Sequence, residues 1–100
     1  QLYTVVAARK GADPETSYTA RLFAKGTAKI AQKVGEEGVE TVIAALAETP
    51  EKVASESADL LYHLTVLWAD QGVKPEDVWN ILAERQGISG IAEKASRTDK

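Results

Sequence analysis

One hundred residues with 12 Lys and Arg, 15 Asp and Glu and a net charge of −3 make one modest domain. The acidic balance excludes general nucleic-acid affinity, which needs a basic face. With no cysteine there is no disulfide, zinc-thiolate or thiol chemistry. No apolar run approaches the roughly 18 residues of a membrane span, and Gln1-Leu2-Tyr3-Thr4 has no export-like character, so a cytoplasmic location is expected.

Taken in order, the chain predicts five helices and no strand. Leu2 to Lys10 is a short helix with Leu2, Val5 and Val6 on one side, stopped by Gly11 and followed by a turn at Asp13-Pro14. Ser17 caps a second helix, Tyr18 to Lys25, ended by Gly26, with Tyr18, Leu22 and Phe23 as its apolar side. A long helix runs from Thr27 to about Ala47. Its later part, Val39, Val42, Ile43 and Leu46, is apolar nearly all round, which predicts burial. Gly35 and Gly38 lower helix propensity by about 1 kcal/mol each and predict close packing against the backbone. Thr49 and Pro50 then serve as N-cap and first residue of a helix to about Gln71, closed by Gly72. Pro75 opens a fifth helix to Gln86, with Val78, Trp79, Ile81 and Leu82 as its apolar side. Trp68 and Trp79 are expected in the core or in an interface between copies. After Gly87 the tail has little periodicity and is expected to be loosely ordered. The whole is a single all-α domain over 1–100.

Two acidic clusters lie inside these apolar helices: Glu36, Glu37 and Glu40 on the third, Glu56 and Asp59 on the fourth. At about 100° per residue, Glu37 shares a face with Ile30, Val34 and Thr41. Glu56 falls in the stripe Val53, Leu60, Leu64 and Leu67, with Asp59 on its flank. A carboxylate on such a face is costly unless neutralised. The short break between the helices makes them antiparallel neighbours. The first cluster lies about ten residues before the turn and the second about eight after it, a mismatch of a few ångströms at 1.5 Å per residue. The clusters therefore face each other. Hard divalent cations, Mg²⁺ or Mn²⁺, take such oxygen ligands and share them with substrate phosphates.

The bland alternative is a set of salt bridges on a solvated strip, fed by Lys25, Lys29 and Lys33 at i, i+4 and i+8. Beside a metal, the same lysines become a phosphate track. His63, one turn beyond Asp59, is either a satisfied core residue or a metal or phosphate contact. A di-iron bundle would want Glu-x-x-His on paired helices, and a glycosidase would want a larger cleft.

The pattern Glu36-Glu37-x-x-Glu40 followed by Glu56-x-x-Asp59 resembles the all-α nucleoside triphosphate pyrophosphohydrolases of the MazG-like superfamily. Within it, the chain is most similar to the phosphoribosyl-ATP pyrophosphohydrolase family of histidine biosynthesis. The resemblance covers residues 3–97 and includes Ser17-Tyr18-Thr19, Lys25-Gly26, Lys33-Val34-Gly35-Glu36-Glu37, Ala58-Asp59-Leu60-Leu61-Tyr62-His63-Leu64, Ser89-Gly90-Ile91 and Glu93-Lys94-Ala95-Ser96-Arg97. Gly38 departs from it, standing where many relatives carry a larger residue. The resemblance implies ATP-moiety binding and Mg²⁺-dependent hydrolysis of phosphoribosyl-ATP between its α and β phosphates, giving phosphoribosyl-AMP and pyrophosphate. It implies that Glu36, Glu37, Glu40, Glu56 and Asp59 hold the metal, with Glu37 or another of these carboxylates acting on the attacking water. It further implies that Lys25, Lys29, Lys33, His63, Lys94 and Arg97 contact substrate. It also implies a homodimer with a four-helix core and a stand-alone enzyme without the cyclohydrolase domain to which it is sometimes fused. A house-cleaning (deoxy)nucleoside triphosphate pyrophosphohydrolase and a non-catalytic helical dimerisation module remain alternatives.

Overall fold

The structure, a computed structural model, describes residues 1–87. Five helices follow in chain order: α1 (Leu2–Ala7), α2 (Tyr18–Lys25), α3 (Thr27–Ala47), α4 (Pro50–Gln71) and α5 (Pro75–Gln86). No strand occurs among the described residues. The predicted boundaries of α2, α3 and α4 agree with the structure because each has local punctuation. The Ser17 side chain accepts from the Ala20 backbone N–H at 3.2 Å, and Thr49 does the same for Lys52 at 3.2 Å. Gly72 closes α4 at φ +72°, the left-handed region that favours glycine. In α5 the Asp77 carboxylate accepts from the Lys74 backbone N–H at 2.9 Å.

The first helix is shorter than its sequence predicts. It leaves α geometry after Ala7 and tightens into i→i+3 turns, with Arg9 N–H donating to the Val6 carbonyl at 3.0 Å and Lys10 N–H to Ala7 at 3.2 Å. Such tightening is a common way for a helix to end.

α3 and α4 form an antiparallel hairpin joined by Glu48 and Thr49, and this pair is the spine of the molecule. α1 packs on α4, and α2 lies on both long helices. The core is Val6, Leu22, Ile30, Val66 and Ala69, with Tyr3, Ala7, Phe23, Tyr62 and Leu67 against it. It gathers where α1 and α2 cover the start of α3 and the end of α4.

The turn end of the hairpin is bare. Val39, Val42, Ile43 and Leu46 are all exposed, Leu46 at 83%. The expectation that this part of α3 is buried is therefore not met within one chain. A Cβ at Gly35 or Gly38 would meet nothing within 4 Å, so the expected close packing on their backbone is also missing within the described chain. Both differences have one reason: the covering elements α1 and α2 reach only the opposite end of the hairpin. Trp68 and Trp79 meet edge to face at 6.0 Å, yet α5 has no buried residue and Trp79 is half-exposed. No helix among the described residues is long and apolar enough to cross a membrane. The expectation of a loosely ordered tail concerns residues that, apart from Gly87, lie outside those described.

Candidate metal centre and active site

The buried residues of α3 are Ile30, Glu37 and Ala44, spaced by seven. That spacing is two helical turns, so Glu37 occupies the one line of α3 that faces α4. Its carboxylate goes inward because the helix leaves it no other direction, and the residue is only 7% exposed. On α4, Glu56 is seven before buried His63, and Asp59 is seven before buried Val66. Both acids are thus on the side turned to α3.

One carboxylate oxygen from each of Glu37, Glu56 and Asp59 lies within 4.8 Å of the others. Three like charges at that distance repel strongly, and little in the chain offsets them. The exposed Lys52 ammonium stands 3.9 Å from Glu56 Oε2, a long and solvent-screened pair. Glu56 Oε1 is buried and has no hydrogen-bond partner among the described residues. Burial first, and then the charge of Glu40, hold the Glu56 carboxyl above its ordinary value; Lys52 opposes them, and Asp59 and Glu37 add smaller contributions. A hard divalent cation fits this set, since it wants several oxygen ligands and would satisfy the orphaned atom.

The structure sorts the five acids predicted as ligands. Glu37, Glu56 and Asp59 converge. Glu40 is exposed and within electrostatic reach of Glu56, but outside that group of three. Glu36 is turned along its own helix, accepting from Gln32 Nε2 at 2.7 Å and pairing with Lys33 at 3.3 Å. Those two partners, Gln32 first, hold its carboxyl below the usual range. For Glu36 the salt-bridge alternative describes the geometry.

Lys25 is exposed at the end of α2, and Lys29 and Lys33 are half-buried on α3. The Lys33 ammonium is held above its ordinary value, by Glu36 first and by Tyr18 second. His63 is 6% exposed. Its Nδ1 lies 2.8 Å from the Asp59 carbonyl oxygen and its Nε2 3.1 Å from the Tyr18 hydroxyl. Both ring nitrogens are therefore engaged inside the chain. Lys94 and Arg97 lie outside the described residues. The partners of His63, Tyr18 and the neighbouring Tyr62, had no site role in the sequence reading. The available signal was two tyrosines flanking the acidic clusters along the chain, one after the Ser17 cap and one beside His63.

A sequence profile of the family described as "Phosphoribosyl-ATP pyrophosphohydrolase" matches residues 1–86. A phosphoribosyl-ATP pyrophosphatase of Azospirillum brasilense is 69% identical over 97 residues, covering 97% of this chain and 87% of the relative. One from Paramagnetospirillum magneticum is 64% identical over 100 residues, covering 100% of this chain and 92% of the relative. One from Rhodospirillum rubrum is 62% identical over 96 residues, covering 96% and 82%. With a profile match over nearly the whole described chain and relatives this similar end to end, the chain belongs to the phosphoribosyl-ATP pyrophosphohydrolase family.

Proposed function

We propose that this protein is a divalent-metal-dependent hydrolase that cleaves phosphoribosyl-ATP to phosphoribosyl-AMP and pyrophosphate in histidine biosynthesis. The observation that carries the reading is the convergence of Glu37, Glu56 and Asp59 around an unpartnered Glu56 oxygen, in a chain of this family. These three carboxylates would hold Mg²⁺, with Mn²⁺ as the nearest substitute, and Glu36 and Glu40 would complete the shell or hold its waters. When bound, the cation neutralises triphosphate charge and polarises the attacked phosphorus. Glu37 and Glu40 orient and deprotonate the attacking water, a role open to a carboxylate held within hydrogen-bond reach of it. Lys25, Lys29 and Lys33 bind the phosphates, with Lys33 leaving Glu36 or bridging from it. Lys94 and Arg97 remain proposed contacts for the substrate's additional phosphate. We assign His63 to orientation within the chain rather than to phosphate.

The proposal includes a homodimer. Its support is the exposed strip Val39, Val42, Ile43 and Leu46 on α3, a contiguous apolar surface of the kind that marks an interface. Light scattering after size exclusion should give twice the chain mass, and Leu46→Lys should shift it toward the monomer. A cytoplasmic setting goes with the biosynthetic role. The deciding experiment is pyrophosphate release from phosphoribosyl-ATP, with and without Mg²⁺, beside a panel of ordinary and deoxy nucleoside triphosphates. Mg²⁺-dependent release far above the panel supports the reading. Preference for a panel nucleotide moves the protein to nucleotide house-cleaning, and no release from any substrate by the folded protein removes both.

A further inference from the structure

The start of α2 is fastened to α4 by two neighbouring polar bonds. A carbonyl oxygen can only accept, so the proton of His63 facing the Asp59 carbonyl sits on Nδ1. In the neutral imidazole Nε2 is then the acceptor, and the Tyr18 hydroxyl donates to it. One residue along each helix, the hydroxyls of Thr19 and Tyr62 are hydrogen-bonded to each other. The rings follow from these bonds. Tyr18 and Tyr62 are 6.2 Å apart and inclined by 26°, and both stand edge-on to the His63 imidazole.

Tyr18 is nevertheless 46% exposed, and it is not among the side chains packed on the core. A tyrosine whose hydroxyl is engaged inside, while nearly half the residue is open, offers its ring to solvent rather than its oxygen. That ring is linked to the acid-bearing part of α4 through His63. It touches His63, one turn or about 6 Å beyond Asp59 on α4, and it is close enough to Lys33 on α3 to help hold that ammonium above its ordinary value.

We propose that Tyr18, oriented by His63 and backed by Tyr62, forms an aromatic wall that takes the planar base of the nucleotide whose phosphates face Glu37, Glu56 and Asp59. The assignment rests on the reading of this site as a nucleotide pyrophosphohydrolase. The mode of recognition follows from the bonding: with both hydroxyls engaged, the wall offers π-surface and no polar readout. It therefore adds affinity for a base while tolerating its identity.

The test compares a ligand with a base to one without. Calorimetric binding of α,β-methylene-ATP and of inorganic tripolyphosphate, both with Mg²⁺, is measured for the wild type and for Tyr18→Ala, Tyr18→Leu and Tyr18→Phe. Loss of one stacked aromatic should weaken nucleotide binding about tenfold in the Ala and Leu variants, and tripolyphosphate binding by less than about twofold. The Phe variant should recover most of the nucleotide affinity. Should Ala fail to fold, the Leu and Phe pair carries the same contrast. Equal weakening of both ligands would mean that Tyr18 only holds the fold. A Phe variant as weak as Leu would mean that the hydroxyl matters and the ring does not. A wild type that binds tripolyphosphate as tightly as the nucleotide overturns the wall outright. The methylene bridge prevents turnover, so failure of the pyrophosphohydrolase reading is seen separately, in the release assay on natural substrates.

Discussion

Two stretches of α4, two turns apart, treat buried polar groups in opposite ways. Around His63 the chain supplies every partner: the Asp59 carbonyl, the Tyr18 hydroxyl and, at Thr65, a hydroxyl donating to the Leu61 carbonyl at 2.7 Å. Around Glu56 it supplies almost none, leaving Oε1 orphaned beside two further carboxylates. A polar group satisfied internally fixes shape, whereas one left unsatisfied is unstable until something from outside binds. The first stretch holds α2 in place. The second stores a charge deficit that a divalent cation would relieve.

Glu37→Gln tests the second stretch most severely. It removes one of the three converging charges, and pyrophosphate release from phosphoribosyl-ATP should fall by more than about a hundredfold, because even outer partners of a metal typically cost 10- to 100-fold. Unchanged turnover at saturating Mg²⁺ would show that the convergence is incidental.

The first stretch should respond in stability instead. His63→Ala opens a cavity and leaves the Tyr18 hydroxyl and its surroundings unpaired, a loss of about 2–3 kcal/mol in urea unfolding. Tyr18→Phe, which orphans only Nε2, should cost about 1 kcal/mol. A His63→Ala protein as stable as the wild type would remove the contrast between the two stretches.

Glu56→Gln should do the reverse of His63→Ala. The folded state holds the Glu56 carboxyl above its ordinary value of 4.5, burial first and neighbouring acids next, so the folded protein binds this proton more readily than the unfolded chain. Ionisation then costs stability as pH rises above 4.5 toward the raised folded value. In chelator at pH 7 the variant should melt above the wild type, the gap closing in acid below the ordinary value, where both states are protonated. With Mg²⁺ the order should invert, because only the wild type gains from the ion. A variant that melts lower in chelator would mean that the repulsion is already relieved.

The smallest effect belongs to Asp70. The Thr27 hydroxyl donates to its carboxylate at 2.6 Å and holds it below the ordinary value of 3.8, helped by Gln71 and opposed by partial burial. A lowered carboxyl contributes stability that is present above its unfolded value and lost as pH falls through the folded one. Asp70→Asn should cost at most about 1 kcal/mol at pH 7, given solvent screening, and nothing once the wild-type group is protonated. A deficit that persists in acid would mean that packing, not charge, joins α3 to α4 there.

Much of this contrast was legible in the residues themselves. Ser17, Gly26, Thr49, Pro50 and Gly72 marked the helix ends, because capping is a local transaction between a side chain and backbone groups three or four residues away. The inward direction of Glu37 and Glu56 was also legible, since helical periodicity ties each to an apolar stripe. What occupies Glu36 was not. The wheel sets it one step off the buried line of Glu37, and only the structure shows it taken up by Gln32 and Lys33.

By itself, then, the sequence determined the helices, their caps, the hairpin register and the meeting of two acidic clusters, all of which follow from periodicities a few residues long. Tertiary structure alone decided that His63 faces Tyr18, 45 positions earlier, and that Val39, Val42, Ile43 and Leu46 go uncovered within one chain. Hydrophobic periodicity shows that a face wants cover, but what covers it depends on where distant elements come to rest.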